Sequence, residues 1–417
     1  MNVEIPLKDI LKMINKNLLP LYLIGLYPAA LIIGTLISEI ITITLAILFI
    51  AECFKDKKFL FFKDPVIYFL FIIWAYLLIN LFNSIDFQLS LNRSIFFVRF
   101  ILIILSIAYF LKKFSKKIDI VFRLWMAIIL ITIIDLYVQF FFGQNLLGFK
   151  SPWHARLSGF FNQELKVAHL LIGFFLPSFA YFFQKNTKNL YLLFFLLLYF
   201  SILILTNERA NIIRGSFALL IFFMFLPTLK MKSKVIFSSL LILIFSSMLF
   251  FIKPIKDRFI NEIAEMQVNN SIKNYVIFSN YGPHYLSSIE IFKKNMLFGT
   301  GIKTFRNACK NVSLEKYYGN NDIRSKSGCS THPHQYYFEI LSALGLVGFI
   351  LFISFFFYLI YRIINSFFST KNFILLSAGT FFILQLIPLL PTGSFFTSFG
   401  ATIFFINVGL IYTYIYR

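Results

Sequence analysis

Long apolar runs alternate with short polar segments along the entire chain. A helix of about 20 mostly apolar residues is long enough to cross about 30 Å of hydrocarbon. On this criterion the pattern predicts twelve membrane-spanning helices, near residues 18–36, 38–53, 65–83, 94–111, 119–142, 166–184, 189–206, 210–229, 235–252, 335–361, 372–391 and 396–416. The chain is therefore expected to be an all-α, polytopic membrane protein embedded in a lipid bilayer.

Basic clusters between the apolar runs predict how the chain is threaded through the bilayer. Lysine clusters precede the first run and follow the second, fourth, sixth and eighth runs, and Arg362 and Lys371 follow the tenth. Cations concentrate on the cytoplasmic side of membrane proteins. All of these clusters lie on that side if both termini are cytoplasmic, and the segments 143–165 and 253–334 then lie outside.

The long outer segment divides the chain into three predicted parts. These are a transmembrane bundle of about nine spans at 1–252, a loop domain at 253–334, and a bundle of about three spans at 335–417. Two amphipathic helices are predicted to lie on the membrane surface, within residues 1–17 and 252–267.

The composition agrees with a membrane protein, since 59% of the 417 residues are hydrophobic and 14% are charged. The net charge of +21 is carried by the short clusters between the runs, so no nucleic-acid partner is expected. The sequence contains no Gly-x-x-x-x-Gly-Lys-[Ser/Thr] phosphate loop, no His-Glu-x-x-His and no zinc-type cluster of Cys and His. No metal or other cofactor is expected, and arginines would have to offset the charge of any bound phosphate.

Two of the three cysteines, Cys309 and Cys329, share the large outer loop. On the oxidising side of a membrane such a pair can form a disulfide, although two free thiols remain the alternative.

Ionisable residues in or beside membrane spans are costly and tend to be functional. Arg209 and Arg214 lie where the seventh span turns into the eighth, and each offers a planar fork that suits phosphate oxygens. Snorkelling or a pair with Glu208 is the structural alternative. Arg99 lies deep enough in the fourth span to need a partner or a cavity, and Asp86 could pair with nearby Arg93.

A second polar group surrounds the start of the sixth span. It contains His154, Arg156, Glu164, Lys166 and His169. Lys166 and His169 are neighbours on one helical face. A binding role and a simple ion pair of Glu164 both remain open.

Two histidines precede the tenth span in the stretch THPHQ. Thr331 is predicted to cap the helix and Pro333 to lie in its first turn. His332 and His334 would then lie at the positive end of the helix dipole, which favours a neutral imidazole that can act as a general base. A histidine that merely caps the helix is the alternative.

Three motifs resemble the O-antigen ligase and O-antigen polymerase superfamily. The pattern His-[Asn/Ser/Gln]-x9-Gly-x-x-Gly is matched by His334, Gln335, Gly345 and Gly348. The segment LTNERANIIRG is similar to the family's Thr-x-x-Arg turn, with Arg209 as the arginine. The segment 299–305, GTGIKTF, is similar to its Gly-x-Gly element.

The resemblance implies a metal-independent, inverting glycosyltransferase at the periplasmic face of the bacterial inner membrane. Its donor would be a glycan on undecaprenyl diphosphate, and its acceptor lipid A–core for a ligase or another carrier-linked repeat for a polymerase. His334 would be the base, with support from His332 and Gln335, and Arg209 would hold the diphosphate together with Arg214 or Arg99. His284 and Lys166 are weaker candidates for substrate binding.

Several alternatives stay open. A ligase, a polymerase and a protein-glycosylating relative are not separated by the sequence. A transporter or flippase for lipid-linked sugars belongs to a different class and would be expected to contain broken helices in the membrane or internal repeats.

Gly345 and Gly348 are expected to let another helix approach closely.

Overall fold

The computed structural model describes residues 16–56, 63–151, 153, 155–186, 190–261 and 276–416. Within these residues the chain forms helices and loops, and no strand. The α-helices are α1 Leu19–Gly25, α2 Tyr27–Ile33, α3 Thr35–Asp56, α4 Pro65–Asn80, α5 Phe87–Ile95, α6 Val98–Lys113, α7 Asp119–Phe142, α8 Val167–Lys185, α9 Leu190–Leu205, α10 Arg209–Phe225, α11 Met231–Phe251, α12 Lys253–Lys256, α13 Gly282–Lys294, α14 Phe305–Ala308, α15 Glu315–Tyr318, α16 Tyr336–Thr370, α17 Phe373–Gln385 and α18 Ser398–Ile415.

Each predicted span coincides with a helical stretch. Among the described residues, eight stretches are long and apolar enough to cross a membrane: Thr35–Asp56, Pro65–Asn83, Phe87–Lys113, Ser115–Phe142, Val167–Lys185, Met231–Phe251, Tyr336–Thr370 and Ser398–Ile415. The other four predicted spans coincide with α1 and α2 together, α9, α10 and α17, which are shorter. The protein is therefore an all-α multi-pass membrane protein, and the total of twelve crossings stays a prediction.

The two predicted surface helices fall partly outside the described residues. Only 16 and 17 of residues 1–17 are described. The segment 252–267 is described as far as Asn261, where it forms α12 and a π-helical turn at Asp257–Asn261.

The centre of the bundle is formed by α18 and α8. Almost every residue of α18 is buried, and this helix packs against α6, α17 and α8. The side-chain amide of Asn407 on α18 donates to the carbonyl of Gly173 on α8 over 3.1 Å. A Cβ on Gly173 would lie only 2.3 Å from Ile403, so a glycine is what lets the two helices approach this closely. At the periphery, α11 buries only Leu241.

The long helix α16 is broken at Gly345, whose φ of 65° and ψ of −165° are not helical. The segment just before α14 runs across the break and pairs with the backbone groups that the break leaves free. Leu346 N donates to Met296 O over 2.8 Å, and Gly301 N donates to Ala343 O over 2.8 Å. The non-helical backbone is thereby satisfied by protein, as buried backbone polar groups require.

The expectation that Gly345 receives another helix is wrong, because its neighbour is this loop segment. A Cβ on Gly345 would lie 2.4 Å from the carbonyl of Leu297. The expectation holds at Gly348, where a Cβ would lie 2.8 Å from the ring of Tyr76 on α4. The Tyr76 hydroxyl also donates to Leu344 O over 2.6 Å, which anchors the break to α4.

Replacing Gly345 with alanine is expected to destabilise the protein by about 3 kcal/mol more than replacing Gly319. Both glycines have left-handed extended backbones, with φ of 65° at Gly345 and 80° at Gly319, but no atom lies within 4 Å of a Cβ at Gly319. The comparison therefore isolates the clash with Leu297 from the backbone strain. Thermal unfolding in detergent, followed by circular dichroism, measures the difference, and equal losses in Tm would contradict this reading of the break.

Cys309 and Cys329 form a disulfide with their Cα atoms 5.4 Å apart, so this pairing is confirmed. The bond ties the end of α14 to the segment just before His332. The approach of the chain to the two histidines is thus cross-linked to the loop that crosses the break in α16.

Candidate functional site

A cavity of about 910 Å³ opens where the turn before α10, the loop before α16 and the loop after α17 meet. Its described lining contains the cations Arg93, Arg156, Lys166, Arg209, Arg214, Arg258 and Lys303, against two acidic residues, Glu164 and Glu208. His169, His332, His334 and Tyr281 also line it. A cavity with so many more cations than anions is suited to bind an anion.

His334 lies in this lining with a left-handed backbone, at φ 58°. Its ring centroid is 4.2 Å from that of His332, 5.2 Å from that of His284 and 5.3 Å from that of Tyr281. Burial, with a smaller contribution from His284, lowers the pKa of His334 to about 4. Burial lowers the pKa of His332 to about 3, helped by His334 and Lys303 nearby. Both imidazoles are therefore neutral near pH 7.

The predicted cap of α16 is wrong. The helix begins at Tyr336, and the side chain of Gln335 accepts from Tyr337 N over 2.6 Å and from Phe338 N over 3.4 Å. A glutamine amide oxygen reaches the first turn from the residue directly before it, so Thr331 is not needed as a cap. His332 and His334 precede the helix rather than lie in its first turn, and their geometry is set by the loops around them.

The segment 386–397 after α17, which we call the strap, holds His334 in place. Thr392 N donates to His334 O over 2.8 Å. The carboxylate of Glu339 on α16 accepts from Ser394 Oγ over 2.5 Å and from Phe395 N over 2.7 Å. The predicted span 372–391 therefore ends early, at Gln385, and the strap that follows it is part of the cavity wall.

Arg214 also holds the strap. Its guanidinium is buried and donates to Leu384 O over 3.3 Å, to Leu390 O over 3.1 Å and to Pro391 O over 2.8 Å. The guanidinium N–H groups that the sequence analysis assigns to phosphate binding thus donate largely to these carbonyls. The structure thus places Arg214 in the cavity wall, with three hydrogen bonds to backbone carbonyls and one to the side chain of Asn211.

Arg209 belongs to a group of cations that we call the first basic cluster: Arg156, Arg209 and Arg258. The turn at Asn207 and Glu208 that starts α10 is where the sequence predicts it, with Asn207 at φ 56°. Arg209 donates to Arg258 O over 3.0 Å. Glu208 lies in electrostatic reach of Arg156 and Arg258, and burial raises its pKa to about 7. The turn therefore brings the carboxyl of Glu208 next to two of the three cations of the cluster.

Arg99 lies behind the cavity rather than in its lining. Its Nε is 3.0 Å from Glu39 Oε2, and its NH2 donates to Ser398 Oγ over 3.4 Å. Arg93, by contrast, lines the cavity. The expected Asp86–Arg93 pair is not what forms, because Asp86 caps α5 by accepting from Leu89 N over 3.1 Å.

The remaining predicted site residues fall at different distances from the cavity. Lys166 lines it and pairs with Glu164 over 2.5 Å, so the ion pair expected there is present. His169 lines it one helical turn further along α8. His284 contacts the ring of His334, and Gln335 is fully buried as the helix cap. His154 lies outside the described residues.

Two cavity cations, Arg258 and Lys303, do not stand out in the sequence. Both are carried by irregular backbone, in the π-helical turn after α12 and at φ 67° in the loop before α14. Lys303 directly follows the Gly-x-Gly element, which is the one signal that could have identified it. Left-handed backbone at Lys303, His334 and Leu389 on the cavity wall fits a functional site, where such strain is concentrated.

A family model described as O-Antigen ligase matches residues 193–353, which include Arg209, the loop before α16 and His334. No curated protein matches the chain.

Proposed function

The chain belongs to the O-antigen ligase superfamily through its domain at residues 193–353, and on that premise we propose that it is a glycosyltransferase of the ligase type. It would transfer an O-antigen-type glycan from undecaprenyl diphosphate to lipid A–core oligosaccharide. The observation that carries the proposal is the shared cavity, in which the neutral imidazole of His334 lies with the first basic cluster.

The first basic cluster suits the diphosphate of the donor. Arginine binds phosphate oxygens through parallel, charge-assisted hydrogen bonds. The bond between the sugar and the diphosphate breaks as negative charge accumulates on the bridging oxygen. Preorganised cations in a partly dehydrated cavity stabilise that charge more strongly than water does.

His334 suits the role of general base. In the proposed step, the acceptor hydroxyl attacks the anomeric carbon of the donor sugar. Its proton passes to the ring of His334, and the electron pair of the sugar–oxygen bond leaves with the diphosphate. The approaching anionic donor stabilises the imidazolium that forms, so binding of the donor raises the low pKa of the free imidazole. A single displacement of this kind inverts the anomeric configuration.

The charge pattern and the disulfide both support one orientation of the cavity. The basic clusters favour cytoplasmic termini. The Cys309–Cys329 bond lies on the same loop as His332, and disulfides persist on the oxidising side of a membrane. We propose that the protein lies in the bacterial inner membrane with its cavity facing the periplasm.

The pH dependence of transfer provides a test of the base. Because kcat/KM reports the ionisation of the free protein, it should keep its full value above the pKa of His334 and fall as the pH drops through about 4. The assay uses the variant Glu208→Gln, because the pKa of the Glu208 carboxyl is raised to about 7. Its ionisation would add a second transition to the pH profile of kcat/KM. A half-maximal rate near the ordinary histidine value of about 6.5 would contradict this assignment.

The lipopolysaccharide of a deletion strain tests the proposed transfer in cells. A ligase predicts core without any attached O-chain. Core that carries a single repeat would instead indicate a polymerase of the same superfamily. Lipopolysaccharide identical to that of the parent strain would contradict both.

A transporter of lipid-linked sugars is the second candidate, because α16 is broken at Gly345 as the helices of transporters often are. The break is, however, filled by the segment that pairs with Ala343 and Leu346, so it does not itself open a path. Movement of a labelled carrier-linked sugar across proteoliposomes, without any transfer product, would favour the transporter.

A further inference from the structure

A second group of cations lies in the same cavity, on different elements from the first basic cluster. We call Arg93 and Lys303 the second basic cluster. Arg93 is on α5 and its NH1 is 3.5 Å from Ser398 Oγ at the start of α18. Lys303 lies in electrostatic reach of Arg93. Arg93, Lys303 and Ser398 all line the cavity.

Hydrogen bonds hold the Gly-x-Gly loop against α5, and this contact forms the second basic cluster. Ser90 Oγ donates to Ile302 O over 2.8 Å, and Ile85 N donates to Thr300 O over 3.0 Å. Ser90 and Arg93 are three residues apart and so share one face of α5. The loop that Ser90 holds therefore presents Lys303 next to Arg93.

A close approach at Gly301 makes this docking possible. Its φ is 96°, and a Cβ there would lie 2.2 Å from Ser84 Oγ and 2.8 Å from Ser90 Oγ. Only glycine permits both the left-handed backbone and the contact. The position of Lys303 is thus fixed by the fold.

The nearby carboxylates are engaged elsewhere. Glu339 attracts Lys303, but both of its oxygens already accept hydrogen bonds from the strap. Glu39 pairs with Arg99, whose guanidinium also reaches Ser398 behind the cluster. Within the part of the chain that the structure describes, Arg93 and Lys303 have no dedicated carboxylate. Two such cations are matched by a phosphate monoester, which carries about −1.5 to −2 charges at pH 7.

We propose that the second basic cluster is an anion subsite for the acceptor, so that the cavity holds two anions at once. The donor diphosphate would occupy the first basic cluster. The acceptor would be a lipid-anchored saccharide that bears phosphate, placed on the other elements around His334. This inference rests on the proposed function, because it identifies the substrate class of the same site.

The test uses the full-length protein in nanodiscs with two labelled ligands. One is undecaprenyl diphosphate-linked saccharide, and the other is a phosphorylated lipid-anchored oligosaccharide, also prepared in dephosphorylated form. Lys303→Gln and Arg93→Gln should each weaken binding of the phosphorylated oligosaccharide about tenfold, the loss expected for one charge-assisted hydrogen bond. Binding of the donor and of the dephosphorylated oligosaccharide should stay unchanged.

Matched variants define the outcomes. Lys310→Gln removes one charge from an exposed position of the same loop and should change nothing. Arg209→Ala should weaken the donor alone. If Lys303→Gln and Arg209→Ala each weaken both ligands equally, the cavity holds one anion and the proposal is overturned. Equal binding of the phosphorylated and dephosphorylated oligosaccharides would overturn it as well.

Transfer assays with the same variants distinguish two possible sources of the phosphate. A raised KM for the phosphorylated oligosaccharide identifies a phosphate on the lipid-anchored core. A raised KM only for a second carrier-linked repeat identifies the carrier diphosphate, as in a polymerase. If wild-type protein transfers to neither acceptor, the proposed function fails, and the binding pattern still decides whether the second anion subsite exists.

Discussion

His334→Ala is expected to lower kcat for glycan transfer by at least about 100-fold, because a positioned general base contributes about 10² to 10⁴ in rate. Its imidazole lines the cavity and is neutral at pH 7, since burial lowers its pKa to about 4. Initial rates with purified carrier-linked donor measure the effect. Normal insertion and an unchanged elution volume in detergent show that the fold survives.

His332→Ala is the matched control for that variant. The two rings are 4.2 Å apart, both are neutral, and each belongs to the same loop. Only His334 occupies the family pattern, so His332→Ala should lower kcat by less than about tenfold, in the range of a lost hydrogen bond. Equal losses in both variants, or full activity of His334→Ala, would remove His334 as the base.

Arg209→Ala is expected to lower kcat/KM by about 10² to 10³, the effect of removing one donor that stabilises developing charge. Arg209 lies in the first basic cluster at the start of α10, 3.0 Å from the carbonyl of Arg258. We expect both the affinity for the donor and the rate of the bond-breaking step to fall. Steady-state kinetics at varied donor concentration separates the two losses.

Arg209→Lys and Arg123→Ala complete this series. Lysine keeps the charge but loses the planar fork, so its activity should lie between those of wild type and Arg209→Ala. Arg123 pairs with Asp119 on α7 and is largely exposed, so its loss should leave transfer unchanged. Wild-type kinetics in Arg209→Ala would show that the diphosphate binds elsewhere.

The apolar pattern was sufficient to predict where the helices lie. In hydrocarbon each backbone amide must be satisfied within its own segment, so a long apolar run has few alternatives to a helix. The disulfide and the turn before α10 were also predicted correctly. The end of α17 and the cap of α16 were not, because the strap and Gln335 depend on contacts between distant parts of the chain.

Which cavity residues could be predicted also depends on whether they are placed by local sequence or by contacts between distant parts of the chain. Arg209, His332, His334 and Lys166 could be selected from the sequence because they interrupt or border apolar runs. Lys303 could not, because it reaches the cavity only through the loop that Ser90 docks onto α5. Arg214 shows the opposite case, since its position was predicted but its guanidinium is directed at the carbonyls of Leu390 and Pro391.

Transfer by the purified protein tests the central proposal most directly. Wild-type protein in proteoliposomes is given undecaprenyl diphosphate-linked glycan, lipid A–core and a chelator, and the products are separated and their new linkage examined by nuclear magnetic resonance. A core-linked glycan whose anomeric configuration is inverted relative to the donor is the predicted result. Movement of the intact carrier-linked glycan across the bilayer with no linked product, or a product with retained configuration, would contradict it.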